Sequence, residues 1–150
     1  MDRTQDCGSC NRGSIPREGT MDTTSEFSFI LKPSQRGIGV FATHDIKKGT
    51  LLRLFSEAKS RLLPKGEVPV PFRDYPVDRG DQWKCPPDFG AMAVGWYLNH
   101  SKNCNAAPGP IVDDDWEYYA TRDIAAGEEI LIDYNALGEP EDAKEDYYSK

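Results

Sequence analysis

The most informative segment of this chain reads ATRDIAAGEEILIDY and spans residues 120–134. It overlaps the end of an aromatic run, Glu117–Thr121, and closes on an apolar run, Glu129–Tyr134. Both runs contain the aromatic or β-branched residues that favour strands, whereas the intervening Ala125-Ala126-Gly127 favours a turn. The segment therefore predicts two strands joined by a turn, with Asp133-Tyr134 at the end of the second strand.

Two further stretches stand out upstream of this segment. The first is Arg36-Gly37-Ile38-Gly39-Val40-Phe41-Ala42, and the second is Tyr97-Leu98-Asn99-His100-Ser101 with Asn105 four positions beyond it. Each is weak by itself, because Gly-x-Gly is typical of an ordinary hairpin turn and Asn-His-Ser of a polar loop. The turn Ile124–Glu128 is also similar to Asp45–Gly49, but this similarity is too short to count as a repeat.

Short strand signals elsewhere predict a mainly β fold. The runs Phe27–Leu31, Val40–Ala42 and Thr50–Phe55 are apolar or aromatic and are bounded by turn residues. The segment 56–89 contains prolines at positions 64, 69, 71, 76, 86 and 87, which excludes long helices and predicts an irregular insert with short pieces of structure. The apolar run Ala91–Leu98 predicts one or two buried helical turns. Many short strands joined by Gly and Pro turns are typical of a barrel or sandwich.

In their order and intervals, the three stretches resemble the SET domain of protein lysine methyltransferases, over about residues 25–138. The resemblance implies a SET-type β-clip fold of short strands and short helical turns. It also implies a C-terminal pseudoknot that brings Asn99-His100 beside Asp133-Tyr134. The implied activity is transfer of a methyl group from S-adenosylmethionine to a lysine ε-amine of a protein.

The resemblance also implies roles for individual residues. The backbone of the Arg36–Gly39 turn is expected to lie against the methionine portion of the cofactor, since its two glycines allow a close approach. Asn99 and His100 are expected to hold the amino group and the adenine edge, although a histidine bonded to a carbonyl in the core is also typical here. Tyr134 is the expected catalytic residue; its alternative is an aromatic side chain that ends a barrel strand. The expected cofactor-binding residues are Arg36, Gly37, Ile38, Gly39, Asn99, His100 and Tyr134.

Composition narrows the functional classes. The chain has 150 residues, with 18 Lys and Arg against 25 Asp and Glu, and its formal net charge is −7. This acidity argues against binding to duplex DNA, which needs an excess of basic residues.

No apolar run approaches the roughly 20 residues of a membrane span, and no secretory signal is visible. We therefore expect an intracellular protein, cytoplasmic or nuclear, that binds no nucleic acid directly and no membrane. Its expected partner is a basic, lysine-containing protein or peptide, with histones as one candidate.

Charge and composition predict three parts: a flexible tail over residues 1–24, the SET domain over 25–138 with an insert at about 56–92, and an acidic tail over 139–150. Cys7 and Cys10 have CxxC spacing, but no second pair completes a structural zinc site. We therefore expect no metal, and unpaired thiols are the simpler interpretation of the cysteines. The run Asp113–Asp115 is most simply a solvated acidic turn.

Departures from the family pattern leave a second interpretation open. Lys102 stands where the family often has a zinc-binding cysteine, and Arg53–Glu57 replaces an acidic-tyrosine-glycine signature. The alternative to an active methyltransferase is therefore a catalytically silent SET-like module that binds protein partners. No HExxH or GxSxG sequence occurs, which removes zinc peptidase and serine hydrolase readings.

Overall fold

The structure is a computed structural model that describes residues 22–55, 60–109 and 117–150. Within these ranges every regular element is a β-strand or a short 3-10 turn. The strands are β1 (Phe29–Ser34), β2 (Gly37–Ala42), β3 (Leu51–Leu52), β4 (Arg61–Pro64), β5 (Val77–Asp78), β6 (Gln82–Cys85), β7 (Asn99–His100), β8 (Ala106–Pro108), β9 (Tyr118–Ala120) and β10 (Leu131–Ile132). The 3-10 turns are Glu26–Ser28, Lys65–Glu67, Val70–Phe72, Val94–Tyr97, Tyr134–Leu137, Glu141–Ala143 and Asp146–Ser149. The expected mainly β fold is confirmed.

The described strands form four small sheets. Strands β1 and β2 form an antiparallel hairpin, and β3, β9 and β8 form an antiparallel sheet in that order. Strands β4, β6 and β5 form another antiparallel sheet inside the proline-rich insert, whereas β10 pairs with β7 in parallel. The insert accommodates its prolines because they lie at strand ends or in and beside 3-10 turns, where a missing N–H is tolerated.

Several strand boundaries differ from the sequence expectations. Strand β1 continues through Pro33 to Ser34 instead of stopping before the proline, which an edge strand tolerates. The turn after it is Gln35-Arg36, so the two glycines expected in the turn belong to β2. Strands β3 and β10 keep only two residues of their longer apolar runs. Neighbouring residues bond to segments outside the strand's own sheet instead, as when Ile130 donates its amide hydrogen to the carbonyl of Val40 in β2 at 2.7 Å.

The hydrophobic core gathers side chains from almost every part of the domain. Its buried members are Phe29, Val40, Ala42, Ile46, Leu52, Leu54, Leu98, Ala106, Tyr118, Ala120, Ile124, Ile130 and Ile132. Full burial of one large aliphatic side chain stabilises a fold by roughly 1.5–3 kcal/mol. The half-buried Phe55, Tyr97 and Tyr134 pack against one side of this core. These aromatic residues mark the boundary between the core and the candidate site.

Two turns with the same sequence pattern face each other across the core. The first turn, residues 42–49, reads ATHDIKKG, and the second turn, residues 120–127, reads ATRDIAAG. Ile46 and Ile124 exchange two backbone hydrogen bonds of 2.8 Å. The brief similarity visible in the sequence therefore corresponds to a pseudo-twofold pairing of two loops that lie 78 positions apart.

The aspartates of the two turns cap each other's loops. The Asp45 carboxylate accepts a hydrogen bond from the Ala126 amide at 2.8 Å, and the Asp123 carboxylate accepts one from the Lys48 amide at 2.9 Å. These aspartates hold equivalent places in the pattern, as do the two amides. Each turn thus satisfies a backbone N–H of the other, which explains why both need an acidic residue before the isoleucine.

Strand β10 lies inside the loop formed by residues 99–105. It pairs with β7 on one side. On the other side, the backbone N–H of Asn105 donates to the Leu131 carbonyl at 3.1 Å. The Asn105 Oδ1 atom accepts the Leu131 N–H at 2.8 Å in return. This double attachment produces the threaded arrangement expected of the C-terminus, and it brings Asn99-His100 beside Asp133-Tyr134 as predicted.

Some sequence expectations fall on residues that are not described. They are the Cys7–Cys10 pair, most of the 1–24 tail and the acidic run 113–115, so the division into three parts stays a prediction. Cys85 is a free and buried thiol, but Cys104 is disulfide-bonded, and the expectation of unpaired thiols is wrong for that residue. In the described ranges, no helix is both long enough and apolar enough to cross a membrane.

Candidate functional site

A cavity of about 580 Å³ lies between the β1–β2 hairpin and the C-terminal 3-10 turns. Cavities of roughly 300–1,000 Å³ are typical of small-molecule and cofactor sites. Five of the seven expected cofactor-binding residues line it, namely Arg36, Gly37, Ile38, Asn99 and Tyr134. Residues more than 60 positions apart in the sequence therefore share one wall, because the hairpin turn packs against β7 and the end of β10.

The other two expected residues lie behind the cavity wall. Gly39 faces the Glu129 side chain, which occupies the space that a Cβ atom on Gly39 would need. The His100 ring is buried beneath Tyr134, with its centroid 5.3 Å from the tyrosine centroid. Neither Gly39 nor His100 is among the residues that line the cavity.

The Asn99 carboxamide is held in one orientation. Its Nδ2 group donates to the Glu129 carboxylate at 2.8 Å, to the Ile38 carbonyl at 3.1 Å and to the Ser34 hydroxyl at 3.3 Å. All the polar partners are thus on the nitrogen side, and Oδ1 has no hydrogen bond within the described part of the chain. An amide oxygen at a cavity wall can accept a hydrogen bond from an ammonium group.

His100 is a neutral structural imidazole as well as a neighbour of the cavity. Its Nδ1 atom accepts the Tyr134 amide hydrogen at 3.0 Å, so the ring carries its proton on Nε2. Burial lowers the pKa of His100 below its usual value, against the opposing effects of the Asp133 carboxylate and the Tyr148 carbonyl. The Nε2 atom has no partner of hydrogen-bonding geometry in the described ranges. The described contacts of His100 are thus those of a buried side chain bonded to the Tyr134 amide, and its role toward the cofactor stays a prediction.

The Tyr134 hydroxyl group points into the interior of the site. It donates a hydrogen bond to the Leu98 carbonyl at 2.5 Å. Burial raises the pKa of Tyr134 well above its ordinary value, and the nearby Tyr147 and Glu139 add to this effect. The hydroxyl group therefore remains protonated at any physiological pH, and its oxygen can still accept a hydrogen bond.

A second cavity of about 110 Å³ adjoins the first, and nine residues, Tyr134 among them, line both cavities. Its remaining walls are mostly aromatic or aliphatic and include Phe55, Trp96 and Tyr118. The Phe55 ring packs edge-on against Trp96, with centroids 5.8 Å apart, and lies 5.9 Å from the Tyr118 ring. Tyr134 thus lies where a larger polar cavity adjoins a small, mostly aromatic one.

The C-terminal segment forms part of the site. Tyr147 and Tyr148 pack on the Tyr134 ring at centroid distances of 6.3 and 5.2 Å. The Arg36 guanidinium lies 4.3 Å from the Tyr147 ring centroid, in a cation–π contact that joins the hairpin turn to the C-terminus. Glu139 accepts the Tyr148 hydroxyl hydrogen at 2.8 Å and the Asp78 amide hydrogen at 3.1 Å. Glu139 therefore ties this segment to the insert.

Acidic groups outnumber basic groups around the larger cavity. Its walls contain Asp74, Asp78, Glu139 and Glu145, against Arg36 and Arg73. Asp78 is partly neutralised by Lys65, whose ammonium lies 2.6 Å from the carboxylate. Burial raises the pKa of Asp78, but hydrogen bonds from Lys65, Gly80 and Trp83 together hold it below its usual value. The cavity therefore carries a negative excess that favours basic ligands.

Sequence reasoning missed Glu129 and did not decide the place of the C-terminal tyrosines. Glu129 follows Glu128 at the start of an apolar run, so it reads as an ordinary polar strand residue. Phe55 and Tyr118 read as core aromatics, since only the fold shows that they face a cavity.

A histidine–serine contact, with His44 Nε2 2.8 Å from Ser28 Oγ, was also hidden, but Ser28 is buried and its oxygen accepts the Ser25 amide hydrogen. Within the described ranges, no three His, Cys, Asp or Glu side chains converge as a metal site.

Comparisons with known proteins agree with this fold. The family model for the SET domain matches residues 37–135. The methyltransferase domain of human PR domain-containing protein 2 has a similar structure, with a TM-score of 0.52 and 22% identity over 87% of this chain and 99% of that chain. An apo form of Chaetomium thermophilum Polycomb Repressive Complex 2 with two substitutions in Ezh2 gives a TM-score of 0.51 and 25% identity, over 75% of this chain and 15% of that chain. No curated protein matches the chain by sequence.

Proposed function

The chain belongs to the SET domain family, and from this membership we propose that it is an S-adenosylmethionine-dependent protein lysine N-methyltransferase. The observation that carries the proposal is the Tyr134 hydroxyl group, which bonds to the Leu98 carbonyl where the large polar cavity adjoins the small aromatic one; Tyr134 and Leu98 both line the two cavities. Two reactants that enter from different cavities would meet at this hydroxyl group. Such alignment supplies much of the rate of a two-substrate reaction.

The residues of the larger cavity fit the polar groups of the cofactor. The Asn99 Oδ1 atom can accept from its amino group, because Nδ2 is already committed to other partners. The Arg36 guanidinium, which lines the same cavity, can pair with its carboxylate. Bound there, S-adenosylmethionine would supply an electrophilic methyl group on a sulfonium centre.

The aromatic cavity suits the aliphatic stem and the amine of a lysine side chain. A lysine ammonium has an ordinary pKa of about 10.4 and must lose its proton before its nitrogen can act as a nucleophile. Walls formed by Phe55, Trp96 and Tyr118 exclude water and so lower that pKa, and the proton leaves to solvent. The Tyr134 oxygen and the Leu98 carbonyl can then accept N–H hydrogens of the amine and orient its lone pair.

The proposed substrate is a basic, lysine-containing segment of a protein. The acidic residues Asp74 and Glu139, which line the aromatic cavity as well as the larger one, support this choice, since a cationic peptide would gain favourable electrostatic energy on approach. Histones are one candidate of this chemistry, and they would place the protein in the nucleus.

The decisive experiment measures transfer of a labelled methyl group from S-adenosylmethionine to core histones and to a protein extract. Calorimetry with S-adenosylhomocysteine on the same protein measures cofactor binding separately. We expect binding and transfer to lysine in the wild type, and loss of both in Asn99→Ala, because that variant removes the free amide oxygen. The variant Asn103→Ala, whose side chain is exposed in the loop beyond β7, is the matched control.

Two outcomes would overturn the proposal in different ways. Cofactor binding without transfer to any substrate would favour the silent protein-binding module. Transfer to a residue other than lysine, identified by mass spectrometry, would keep the methyltransferase and reject the substrate class.

A further inference from the structure

We propose that Glu129 is a positioning residue that sets the orientation of Asn99 and thereby the affinity for the cofactor. This inference rests on the proposed function, since it concerns the same cavity. Glu129 does not line that cavity, and its effect is transmitted through the Asn99 carboxamide.

The Glu129 carboxylate joins three separate parts of the fold. Both of its oxygens accept from the Ser34 hydroxyl, at 2.9 and 3.0 Å, and Oε1 accepts from Asn99 Nδ2 at 2.8 Å. Ser34 ends β1, Asn99 begins β7, and Glu129 follows the second turn. The carboxylate therefore holds together the hairpin and the pseudoknot at the point where they form one wall of the cavity.

The donor and acceptor pattern allows only one orientation of the carboxamide. An ionised carboxylate is an acceptor only, so it demands the NH₂ end of Asn99. The Ser34 hydroxyl group donates its single hydrogen to Glu129, so toward Asn99 it can only accept a hydrogen bond. The third partner is the Ile38 carbonyl, which is again an acceptor. A flipped Asn99 would place Oδ1 against three acceptors, and the oxygen is therefore left for the cavity side.

Gly39 provides the space for this carboxylate. A Cβ atom at position 39 would overlap the Glu129 Oε1 atom and would lie 3.0 Å from the Ser34 Cβ. The φ angle of Gly39 is not positive, so the requirement for glycine comes from packing and not from backbone conformation. The second glycine of the Gly-x-Gly pair thus serves Glu129, whereas Gly37, with φ of 88°, serves the hairpin turn.

The neighbouring Glu128 offers a matched control. Its carboxylate pairs with Arg122 at 2.6 Å and accepts the Ala125 amide hydrogen at 2.9 Å, so it stabilises the second turn and does not contact Asn99. The variants Glu128→Gln and Glu129→Gln remove the same charge at adjacent positions. Only the second removes the acceptor-only carboxylate that selects the carboxamide orientation.

The test compares the dissociation constant for S-adenosylhomocysteine among the wild type, Glu128→Gln, Glu129→Gln, Ser34→Ala and Gly39→Ala. A hydrogen bond to a charged group is worth about a 10- to 100-fold factor in binding. We expect Glu129→Gln and Gly39→Ala to weaken binding by about 10-fold or more, Ser34→Ala by less, and Glu128→Gln to match the wild type. In kinetics, KM for S-adenosylmethionine should rise while kcat at saturating cofactor stays close to that of the wild type.

A second measurement reads the orientation without the cofactor. The side-chain NH₂ signals of Asn99 in a ¹⁵N-correlated NMR spectrum should shift in Glu129→Gln and Ser34→Ala but not in Glu128→Gln. Equal binding by wild type and both Glu129→Gln and Ser34→Ala, or unchanged Asn99 signals, would overturn the inference and leave the proposed function intact. A wild type that binds no cofactor would instead overturn the proposed function, and the inference with it.

Discussion

The first and second turns are built alike, yet only the second leads into the candidate site. Both carry the pattern A-T-x-D-I-x-x-G, and each caps the other through its aspartate. After Gly49 the chain enters β3 and joins the sheet with β9, whereas after Gly127 it enters β10 and the pseudoknot. The repeated pattern therefore specifies a turn and the surface through which the two turns pair. The residues that follow the pattern determine which strand the chain enters next.

One pair of equivalent positions makes the difference plain. Leu51 and Glu129 both stand two residues after the glycine of their turn. Leu51 pairs with Tyr119 in the three-stranded sheet, whereas Glu129 bonds to Ser34 and Asn99 at the cavity. The apolar residue at this position continues a sheet, whereas the acidic residue bonds to two polar side chains beside the cavity.

The largest expected effect comes from the residue at the end of the segment that follows the second turn. The variant Tyr134→Phe removes the hydroxyl that bonds to the Leu98 carbonyl between the two cavities. We expect kcat for methyl transfer to fall by about 10²–10⁴-fold, with an unchanged dissociation constant for S-adenosylhomocysteine. Single-turnover transfer of a labelled methyl group measures the first quantity and calorimetry the second.

The control lies just before the second turn. In Tyr119→Phe the lost hydroxyl group bonds to Glu117 at 3.2 Å and lines neither cavity, so transfer should continue at the wild-type rate. Near-normal transfer by Tyr134→Phe would reject the catalytic role of Tyr134. The two turns would then differ only in how the segments that follow them pack.

The next effect tests the likeness of the turns. Asp45→Ala and Asp123→Ala each remove one hydrogen bond to a backbone amide of the opposite turn, and each should lower the free energy of unfolding by about 1 kcal/mol. Because both bonds hold the same pair of loops, the double variant should lose less than the sum of the single losses. Urea denaturation followed by circular dichroism measures all three. Clearly unequal single effects would show that the pseudo-twofold pairing is not energetically symmetric.

The smallest expected effect is a pH dependence on the side of the second turn, where β10 docks against His100. Burial holds the pKa of His100 below its usual 6.5, so the unfolded chain takes up a proton before the folded one does. Stability should therefore decrease as the pH falls through and below 6.5. The titration of Asp133 lies lower, because hydrogen bonds from Asn135, acting against burial, hold its pKa below 3.8.

The corresponding variant is His100→Gln, which cannot take up a proton. Its melting temperature should change less than that of the wild type between pH 7 and pH 5, as measured by calorimetry or circular dichroism. Parallel curves for the two proteins would mean that other groups carry the pH dependence.

Local patterns in the sequence predicted a mainly β fold, and the resemblance to a known family implied the rest of the fold. The Gly-x-Gly pair, the Asn-His pair and the ATRDIAAGEEILIDY segment led to the SET domain, its β fold and the approach of His100 to Tyr134. Strand lengths were harder to predict, because residues beside the short strands β3 and β10 bond to segments outside the strand's own sheet, as Ile130 does to Val40 of β2. The three-stranded sheet of the insert was hidden for a similar reason, because proline suppresses helix but says little about strand ends.

The candidate site divides in the same way. The resemblance to the SET family marked Asn99, Tyr134 and Gly39 as expected site residues, although the short stretches that contain Asn99 and Gly39 are weak signals by themselves. It could not show that Gly39 makes room for Glu129, that Glu129 orients Asn99, or that Tyr147 stacks on Arg36. Those relations join residues that lie 30 to 111 positions apart, and they exist only once threading of the C-terminus has brought the segments together. Local sequence encodes turns and short strands through backbone preferences, whereas the pairing of distant polar groups depends on the packing of the whole domain.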